Sequence, residues 1–198
     1  MIRHATQAVP WRLLGLVAVL LPLLLRTVEE WPYTMWPLQG IAVGLLAGTT
    51  AWAFDEPAAA LVDTLPRDLA WRTAARSGAV LLLVACWLLT VHWTRDAYFG
   101  HAVAVAVQGC AAVLATSAYV TWLRHRGRAT PAGVVGPGVV AGAAFVALAR
   151  PFADVLPVFP YTAMDAWSQS TTLWVALGVL SLGVLAGSLR GVGRPLRG

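Results

Sequence analysis

Long apolar runs alternate with short polar breaks along the chain, and six of the runs are roughly 20 residues long. A helix of about 20 apolar residues is long enough to cross the hydrocarbon core of a bilayer. We therefore predict an all-α polytopic membrane protein with six transmembrane helices, in which residues 1–198 form a single transmembrane domain. The expected spans are about 10–28, 36–54, 77–93, 100–123, 131–149 and 171–189.

The composition supports membrane insertion. The chain is 59% hydrophobic and only 12% charged, with a mean hydropathy of +0.70, whereas about 25% of the residues in a soluble domain are charged. The N-terminus resembles a signal peptide, since Arg3, His4 and Arg12 precede an apolar stretch. No small-x-small cleavage site follows it, so we expect this stretch to be retained as the first span.

Arginine sets the predicted orientation, because all 14 basic residues are arginine. If the N-terminus lies inside, the outer segments hold three arginines and the inner segments hold eleven, which is a positive-inside bias. Both termini are therefore expected in the cytoplasm, with the protein in the plasma membrane. The arginines flank spans instead of forming one basic face, so membrane lipid is expected as a partner and nucleic acid is not. The outer arginines are Arg26, Arg95 and Arg150, and the inner ones are Arg3, Arg12, Arg67, Arg72, Arg76, Arg124, Arg126, Arg128, Arg190, Arg194 and Arg197.

Several chemistries lack the residues they need. Without lysine the chain has no Walker A loop and no lysine Schiff base. No acid, lysine or arginine falls in the middle of a span, so the ionisable relay of an ion-driven transporter is missing. Gln39 and Gln108 are the polar candidates at depth, and we mark them as a candidate translocation path. A transport cycle in this protein would need energy from elsewhere.

Histidines and cysteines give no clear site. His92 and His101 flank the short outer loop and could face each other across it, but ordinary interface polarity is the favoured interpretation. Cys86 and Cys110 fall inside spans and are expected to be small buried apolar residues. No serine-hydrolase or zinc-protease motif occurs. We predict no catalytic, metal-binding or cofactor-binding residue in this chain.

The break at residues 55–76 is DEPAAALVDTLPRDLAWRTAAR. Glu56 suits the N-cap of a helix that begins at Pro57, and leucines recur every four residues as a narrow apolar stripe. Asp63 and Arg67 are four apart and can pair. Two interpretations stay open: a helix lying on the membrane surface, or a handle that a cytoplasmic partner holds. The residues assigned to the handle are Asp55, Glu56, Pro57, Leu61, Asp63, Leu65, Pro66 and Arg67.

Glycines spaced four apart occur in three spans. This spacing places them on one helix face, where they allow two backbones to approach closely. Packing within the bundle is the favoured role, and a subunit interface is the alternative. The glycines are Gly40, Gly44 and Gly48 in the second span, Gly138 and Gly142 in the fifth, and Gly183 and Gly187 in the sixth.

These features together resemble the permease subunits of ABC transporters, in particular the ABC-2-type exporters of actinobacteria. The resemblance is carried by the six-span layout with both ends inside, the apolar proline-bearing segment before the sixth span, and the 55–76 break. Within that break, the matching residues are Asp55, Glu56, Pro57, Leu61, Thr64, Pro66, Arg72 and Arg76.

The resemblance implies that residues 55–67 form a short cytoplasmic coupling helix that docks on a separate ABC ATPase subunit. ATP and Mg²⁺ would then be bound by that partner and not by this chain. A second permease subunit, identical or different, would complete the complex, and the cargo would be hydrophobic or amphipathic. The alternatives are a non-transporting scaffold or assembly subunit and a membrane-embedded redox enzyme.

Overall fold

The computed structural model of the chain describes residues 9–54, 69–128, 130–151, 155, 157–163 and 166–190, with side chains from 73 onwards in the second range apart from residue 75. Six α-helices and two short 3-10 turns make up the regular structure of these residues. The turns are Pro32–Thr34 and Arg95–Tyr98. The helices are α1 (Trp11–Glu30), α2 (Met35–Ala53), α3 (Leu69–Trp93), α4 (Ala102–His125), α5 (Ala132–Ala149) and α6 (Trp167–Arg190).

Five of these helices are long and apolar enough to cross a membrane, namely α1, the Arg76–Trp93 part of α3, α4, α5 and α6. The architecture is therefore that of an all-helical, multi-pass membrane protein. The remaining helix, α2, is the most enclosed of the bundle: it packs against α1, α3, α4 and α5. Its sequence includes Pro37, Gln39 and a pair of threonines, which lower its hydropathy.

Helix α1 shows how the apolar pattern becomes packing. Five side chains spaced three or four residues apart form a buried stripe, because this spacing keeps them on one face of a helix: Leu14, Val17, Leu21, Leu25 and Val28. The other face exposes Leu16, Val19 and Leu23. An apolar face without a protein neighbour is what a helix presents to lipid. Near the end of α1, Arg26 pairs with Glu29 at 2.6 Å.

The helices alternate in direction, so the loops and charges gather at two ends. Arg76 in α3 meets the last turn of α2, where its Nη1 donates to the Phe54 carbonyl at 3.1 Å. Trp36, at the start of α2, donates through Nε1 to the Ala147 carbonyl near the end of α5. The end that carries Arg76, Arg124, Arg126 and Arg190 is called the arginine-rich end below. The opposite end carries Arg26, Arg95 and Arg150.

Helices α2 and α5 are in close contact along one line of glycines. A Cβ on Gly44 would lie 2.7 Å from the Ala143 Cβ, and a Cβ on Gly48 would lie 2.9 Å from the Gly136 carbonyl oxygen. Such distances are shorter than van der Waals contact, so only glycine fits at these points. Gly40 faces Ala147 in the same way. The two helices therefore form a tight antiparallel pair.

A second close approach joins α3 to α4. The fully buried Trp87 ring covers Gly109, where a Cβ would overlap the indole. The Trp87 Nε1 donates to the Ala106 carbonyl at 3.3 Å. The indole therefore packs on the backbone of α4 while its polar edge remains hydrogen-bonded, which is the usual requirement for a buried tryptophan.

Two helices begin before the predicted spans. α3 is helical from Leu69 and α6 from Trp167, whereas the expected spans begin at 77 and 171. The first turn of α6 is held by Trp167, whose Nε1 donates to the Thr162 carbonyl at 2.8 Å and whose ring stacks on His101 at 4.6 Å. The predicted boundaries mark where the sequence becomes apolar enough to contact lipid. These two helices begin earlier, in more polar sequence.

The turn between α3 and α4 is ordered by a buried tyrosine. The Tyr98 hydroxyl lies 2.6 Å from Thr94 Oγ1, and its ring is fully buried. Burial raises the pKa of Tyr98 to about 12, although the Thr94 hydrogen bond opposes the shift. The phenol therefore stays neutral in the physiological range, and the charged side chains of this turn are those of Arg95 and Asp96.

Candidate functional site: a buried amide pair beside an apolar cleft

The two glutamines marked by the sequence meet inside the bundle. Gln39 on α2 donates through Nε2 to Oε1 of Gln108 on α4, at 2.5 Å. Their exposed fractions are 1% and 0%. Burying an amide is unfavourable unless it forms hydrogen bonds, so the Gln39–Gln108 bond favours one register between α2 and α4.

The hydrogen bonds continue from the pair to α6. Gln108 Nε2 donates to Ser170 Oγ at 3.2 Å, and Ser170 Oγ donates to the Val158 carbonyl at 3.0 Å. Trp174 Nε1 donates to the same carbonyl at 2.9 Å. We call these groups the amide cluster: Gln39, Gln108, Ser170, Trp174 and the Val158 carbonyl. It links three helices and the loop before α6 without using a charge.

One acceptor of the amide cluster has no partner. Gln39 Oε1 is the only buried side-chain nitrogen or oxygen atom that lacks a hydrogen bond within the described ranges. Leaving a buried polar atom unsatisfied costs about 1–3 kcal/mol. The Gln39 amide therefore offers an acceptor in a place where an unused acceptor is unfavourable.

An apolar cleft of about 350 Å³ lies next to the amide cluster. Its floor comes from α2 and α4, its walls from α5 and α6, and its cover from Val158 and Phe159. α5 packs along α2 and α6 packs along α4, which leaves the space between them. The remaining lining residues are Val43, Gly44, Ala47, Ala112, Ala115, Thr116, Tyr119, Val139, Gly142, Ala143, Val146, Trp174 and Leu177.

The cluster and the cleft share the same helix faces. On α2 the step from Gln39 to Val43 is four residues, and on α4 the step from Gln108 to Ala112 is also four. Four residues are one helical turn, or about 6 Å of rise, and keep the same face. The amide cluster therefore lies one turn beyond the cleft lining, toward the opposite end of the bundle.

The loop segment 157–163 closes the cleft at that end. The Phe159 ring lies 5.6 Å from the Trp174 ring and packs over Gly40. Arg150 Nη1 donates to the Tyr161 hydroxyl at 3.0 Å, with its guanidinium over the same ring at 4.4 Å. The cover is therefore held by aromatic contacts and one arginine, and by the two donors that converge on the Val158 carbonyl.

A second apolar groove, of about 380 Å³, runs along the outer side of α4 and α6. It shares Trp174 with the cleft, so this indole separates the two spaces. Its other lining residues are Leu88, Val103, Ala106, Val107, Cys110, Ala111, Leu114, Val175, Gly178, Val179 and Leu182. We call it the lateral groove.

The remaining predicted site residues are distributed as follows. The coupling helix stays a prediction, because its residues lie outside the described part of the chain. They are Asp55, Glu56, Pro57, Leu61, Asp63, Leu65, Pro66 and Arg67. Gly40, Gly44 and Gly48 face α5. A Cβ added to Gly138, Gly142, Gly183 or Gly187 would have no atom of the described chain within 4 Å, and Gly142 borders the cleft.

Sequence reasoning missed Ser170 and Trp174. Ser170 falls one residue before the predicted sixth span, so hydropathy assigns it to the outer loop. Trp174 is one of ten tryptophans, a residue type that suits the membrane interface. A helical pattern that starts at Trp167 places Ser170 and Trp174 on one face, four residues apart, which is the signal that could have found them.

The residues described by the structure contain no group of three His, Cys, Asp or Glu side chains placed to share a metal ion. No family model, curated protein or solved structure matches the chain. The class that the fold defines is therefore the multi-pass helical membrane protein, and its function has to be argued from the cleft and the amide cluster.

Proposed function

We propose that the chain is the transmembrane permease subunit of an ABC exporter, which moves a hydrophobic or amphipathic molecule with energy from a separate ATPase. The observation that carries the proposal is the apolar cleft that opens between α5 and α6 and ends beside the uncharged amide cluster. A site for a hydrophobic molecule is concave and mostly apolar, with a few polar groups that fix orientation.

The side of entry follows from the helix packing. α5 and α6 pack along different helices and carry large exposed apolar side chains, among them Phe145 and Val179. Such faces suit lipid. A molecule dissolved in the bilayer would therefore reach the cleft sideways, without crossing water.

The uncharged amide cluster also supports transport that is not driven by a proton gradient. Gln39 and Gln108 are neutral at every pH that a cell meets, so their pair does not take up or release a proton. Movement of the cargo in this proposal is driven by a change in helix positions, which an outside motor has to supply.

The arginine-rich end supports the attachment of that motor. The buried Arg76, with an exposed fraction of 7%, is hydrogen-bonded to the Phe54 carbonyl at 3.1 Å. The residues that flank positions 55–75, Phe54 at the end of α2 and Arg76 in α3, are thus joined. A force on this segment would act on α2 and α3 together, and α2 carries Gln39.

The proposal includes α2 as a sixth span. Its 19 residues give about 28 Å of helix, close to the thickness of the hydrocarbon core. Because α2 is surrounded by helices and not by lipid, it needs less hydropathy than the other five. With six spans we expect both termini on the arginine-rich side, which the positive-inside rule assigns to the cytoplasm.

Co-purification tests the proposed partner. The detergent-solubilised protein, isolated from its own membranes, should retain an ABC ATPase, and reversal of Asp55, Glu56 and Asp63 to lysine should reduce the retained ATP hydrolysis at least tenfold. The matched control is Asp96→Lys at the opposite end, where the side chain is 90% exposed, and it should change nothing. Undiminished ATPase retention by the triple variant would refute docking on this segment.

A scaffold or assembly subunit is the second candidate. It is favoured by the outward faces of α5 and α6, where Gly183 and Gly187 meet no described atom and small residues suit the approach of another helix. Reconstituted vesicles separate the two functions. A scaffold leaves ATP-driven export of a fluorescent long-chain alcohol unchanged when Gly142→Leu fills the cleft, whereas a permease loses it.

A further inference from the structure

We infer that the cleft binds a single-chain amphiphile with an uncharged hydrogen-bond donor, such as a long-chain alcohol, and that Gln39 Oε1 is the acceptor for that donor. The inference deepens the proposed function and rests on it for the role of the site in transport. Binding itself is a property of this chain and can be measured without an ATPase.

The lining determines the body of the ligand. It consists of aliphatic and aromatic side chains with almost no polar surface, and it contains no acid, lysine or arginine. An apolar cavity of about 150 Å³ takes up benzene, so a space of about 350 Å³ admits an apolar group roughly twice that size. From Ala112 to Tyr119 the cleft follows α4 for about 10 Å, which suits an extended alkyl chain.

The amide cluster determines the head of the ligand. Each donor atom of the cluster makes one hydrogen bond: Gln39 Nε2 donates to Gln108, Gln108 Nε2 to Ser170, and Ser170 and Trp174 to the Val158 carbonyl. Gln39 Oε1 alone remains, and it is an acceptor. The group that satisfies it is a donor, and in a cluster without charge a neutral hydroxyl avoids the desolvation penalty of an ion.

The position of the acceptor sets the orientation of the ligand. Gln39 lies one turn beyond Val43, toward the opposite end, while the apolar lining continues toward the middle of the bundle. An amphiphile in the leaflet at that end has the same orientation as this site, with its polar head at the membrane surface and its alkyl chain toward the centre.

The experiment uses the purified chain in phosphatidylcholine nanodiscs and a tetradecanol probe with a photoreactive diazirine in its alkyl chain. Labelled residues are mapped by mass spectrometry. Labelling is competed with unmodified 1-tetradecanol, with its methyl ether, which cannot donate, and with tetradecanoate, which is charged. We expect labels on the cleft residues Val43, Ala112 or Val146, and about tenfold stronger competition by the alcohol than by the ether.

Variants assign the effect to the site. Gln39→Met should abolish the preference for alcohol over ether but keep the cleft labelled. The double variant Gln39→Met/Gln108→Met removes both partners, so it should fold with nearly unchanged stability and show the same loss of preference. Gly142→Leu should abolish labelling, whereas Gly138→Leu, one turn away on α5 and not in the cleft lining, should not.

The outcomes are decisive in both directions. Equal competition by alcohol and ether, stronger competition by tetradecanoate, or labels confined to the lateral groove would overturn the inference. If cleft labelling and alcohol preference are as expected but ATP-driven flux is absent, the proposed function fails and the binding site stands. If flux is present while Gln39→Met leaves alcohol preference intact, the site fails and the proposed function stands.

Discussion

The cleft and the lateral groove are two apolar spaces of nearly equal size, about 350 and 380 Å³, on either side of Trp174. They differ in what lies at their ends. The cleft ends beside four donors and an unsatisfied acceptor, whereas the groove is bordered only by aliphatic side chains, Cys110 and the same indole. In a bilayer, apolar volume alone selects nothing, because lipid chains are as apolar as leucine. For the binding site that we propose, selectivity therefore depends on the amide cluster.

Removing Trp174, the wall that the cleft and the lateral groove share, should have the largest effect on the free energy of unfolding. Trp174→Ala joins the cleft and the lateral groove, and it also removes a donor from the Val158 carbonyl. We expect a loss of about 3–5 kcal/mol in the free energy of unfolding, as for other buried tryptophans. Denaturation by SDS in mixed micelles measures it. Trp93→Ala, at a side chain that is 79% exposed, should cost less than about 0.5 kcal/mol, and equal losses would contradict the role given to Trp174.

Separating α5 from α2 should have the second largest effect on the free energy of unfolding. The change displaces a wall of the cleft and leaves the lateral groove intact. In Gly48→Ala the new Cβ would meet the Gly136 carbonyl at 2.9 Å. Overpacking of this kind costs about 1–3 kcal/mol. Gly183→Ala makes the same change where no described atom is near, and helix propensity should make it neutral or stabilising by up to about 1 kcal/mol. Thermal unfolding in detergent compares the pair, and a destabilised Gly183→Ala would contradict the outward assignment of that face.

A smaller effect is expected from the amide cluster itself. Ser170→Ala removes the acceptor of Gln108 Nε2 and one donor to Val158, so one buried donor loses its partner. The expected loss is about 1–2 kcal/mol in unfolding free energy, with weaker preference for alcohol over ether. Ser168→Ala, on the exposed face of the same turn, is the control. A Ser170→Ala protein with unchanged alcohol preference would show that the cluster does not position Gln39.

The smallest effect is expected in the lateral groove. Gly178 lines it, and a Cβ there would make only ordinary contact with Ala111 at 3.7 Å. Gly178→Leu fills part of the groove and should change tetradecanol labelling of the cleft by less than about twofold. Photolabelling under the conditions used for Gly142→Leu measures it. A loss as large as that of Gly142→Leu would mean that the two spaces are one binding site.

The span pattern was predictable because helix length and hydropathy are local properties. Five of the predicted spans correspond to helices of membrane length, with boundaries that differ by a few residues and by eight at the start of α3. The central place of α2 was not predictable, since hydropathy reports contact with lipid and α2 contacts protein. Pro37, Gln39 and the paired threonines are tolerated in α2 because this helix is surrounded by protein.

The candidate site was partly predictable. A glutamine within an apolar run needs a partner, which is why Gln39 and Gln108 stood out, but the sequence does not state that they bind each other. Four-residue glycine spacing defines a face and not its neighbour, so it does not distinguish Gly44, which meets α5, from Gly183, which faces outward. Gly109, under Trp87, belongs to no such motif, because a single close contact needs only one glycine.

The hydrogen bond from Arg76 to the Phe54 carbonyl has a mechanical consequence. It gives a partner to a carbonyl at the end of α2, one of the backbone acceptors that a helix end leaves without an intrahelical bond. If residues 55–67 are the attachment point that we propose, a displacement there acts on α2 and α3 together. Replacing the Arg76 guanidinium would remove this direct bond between the end of α2 and α3.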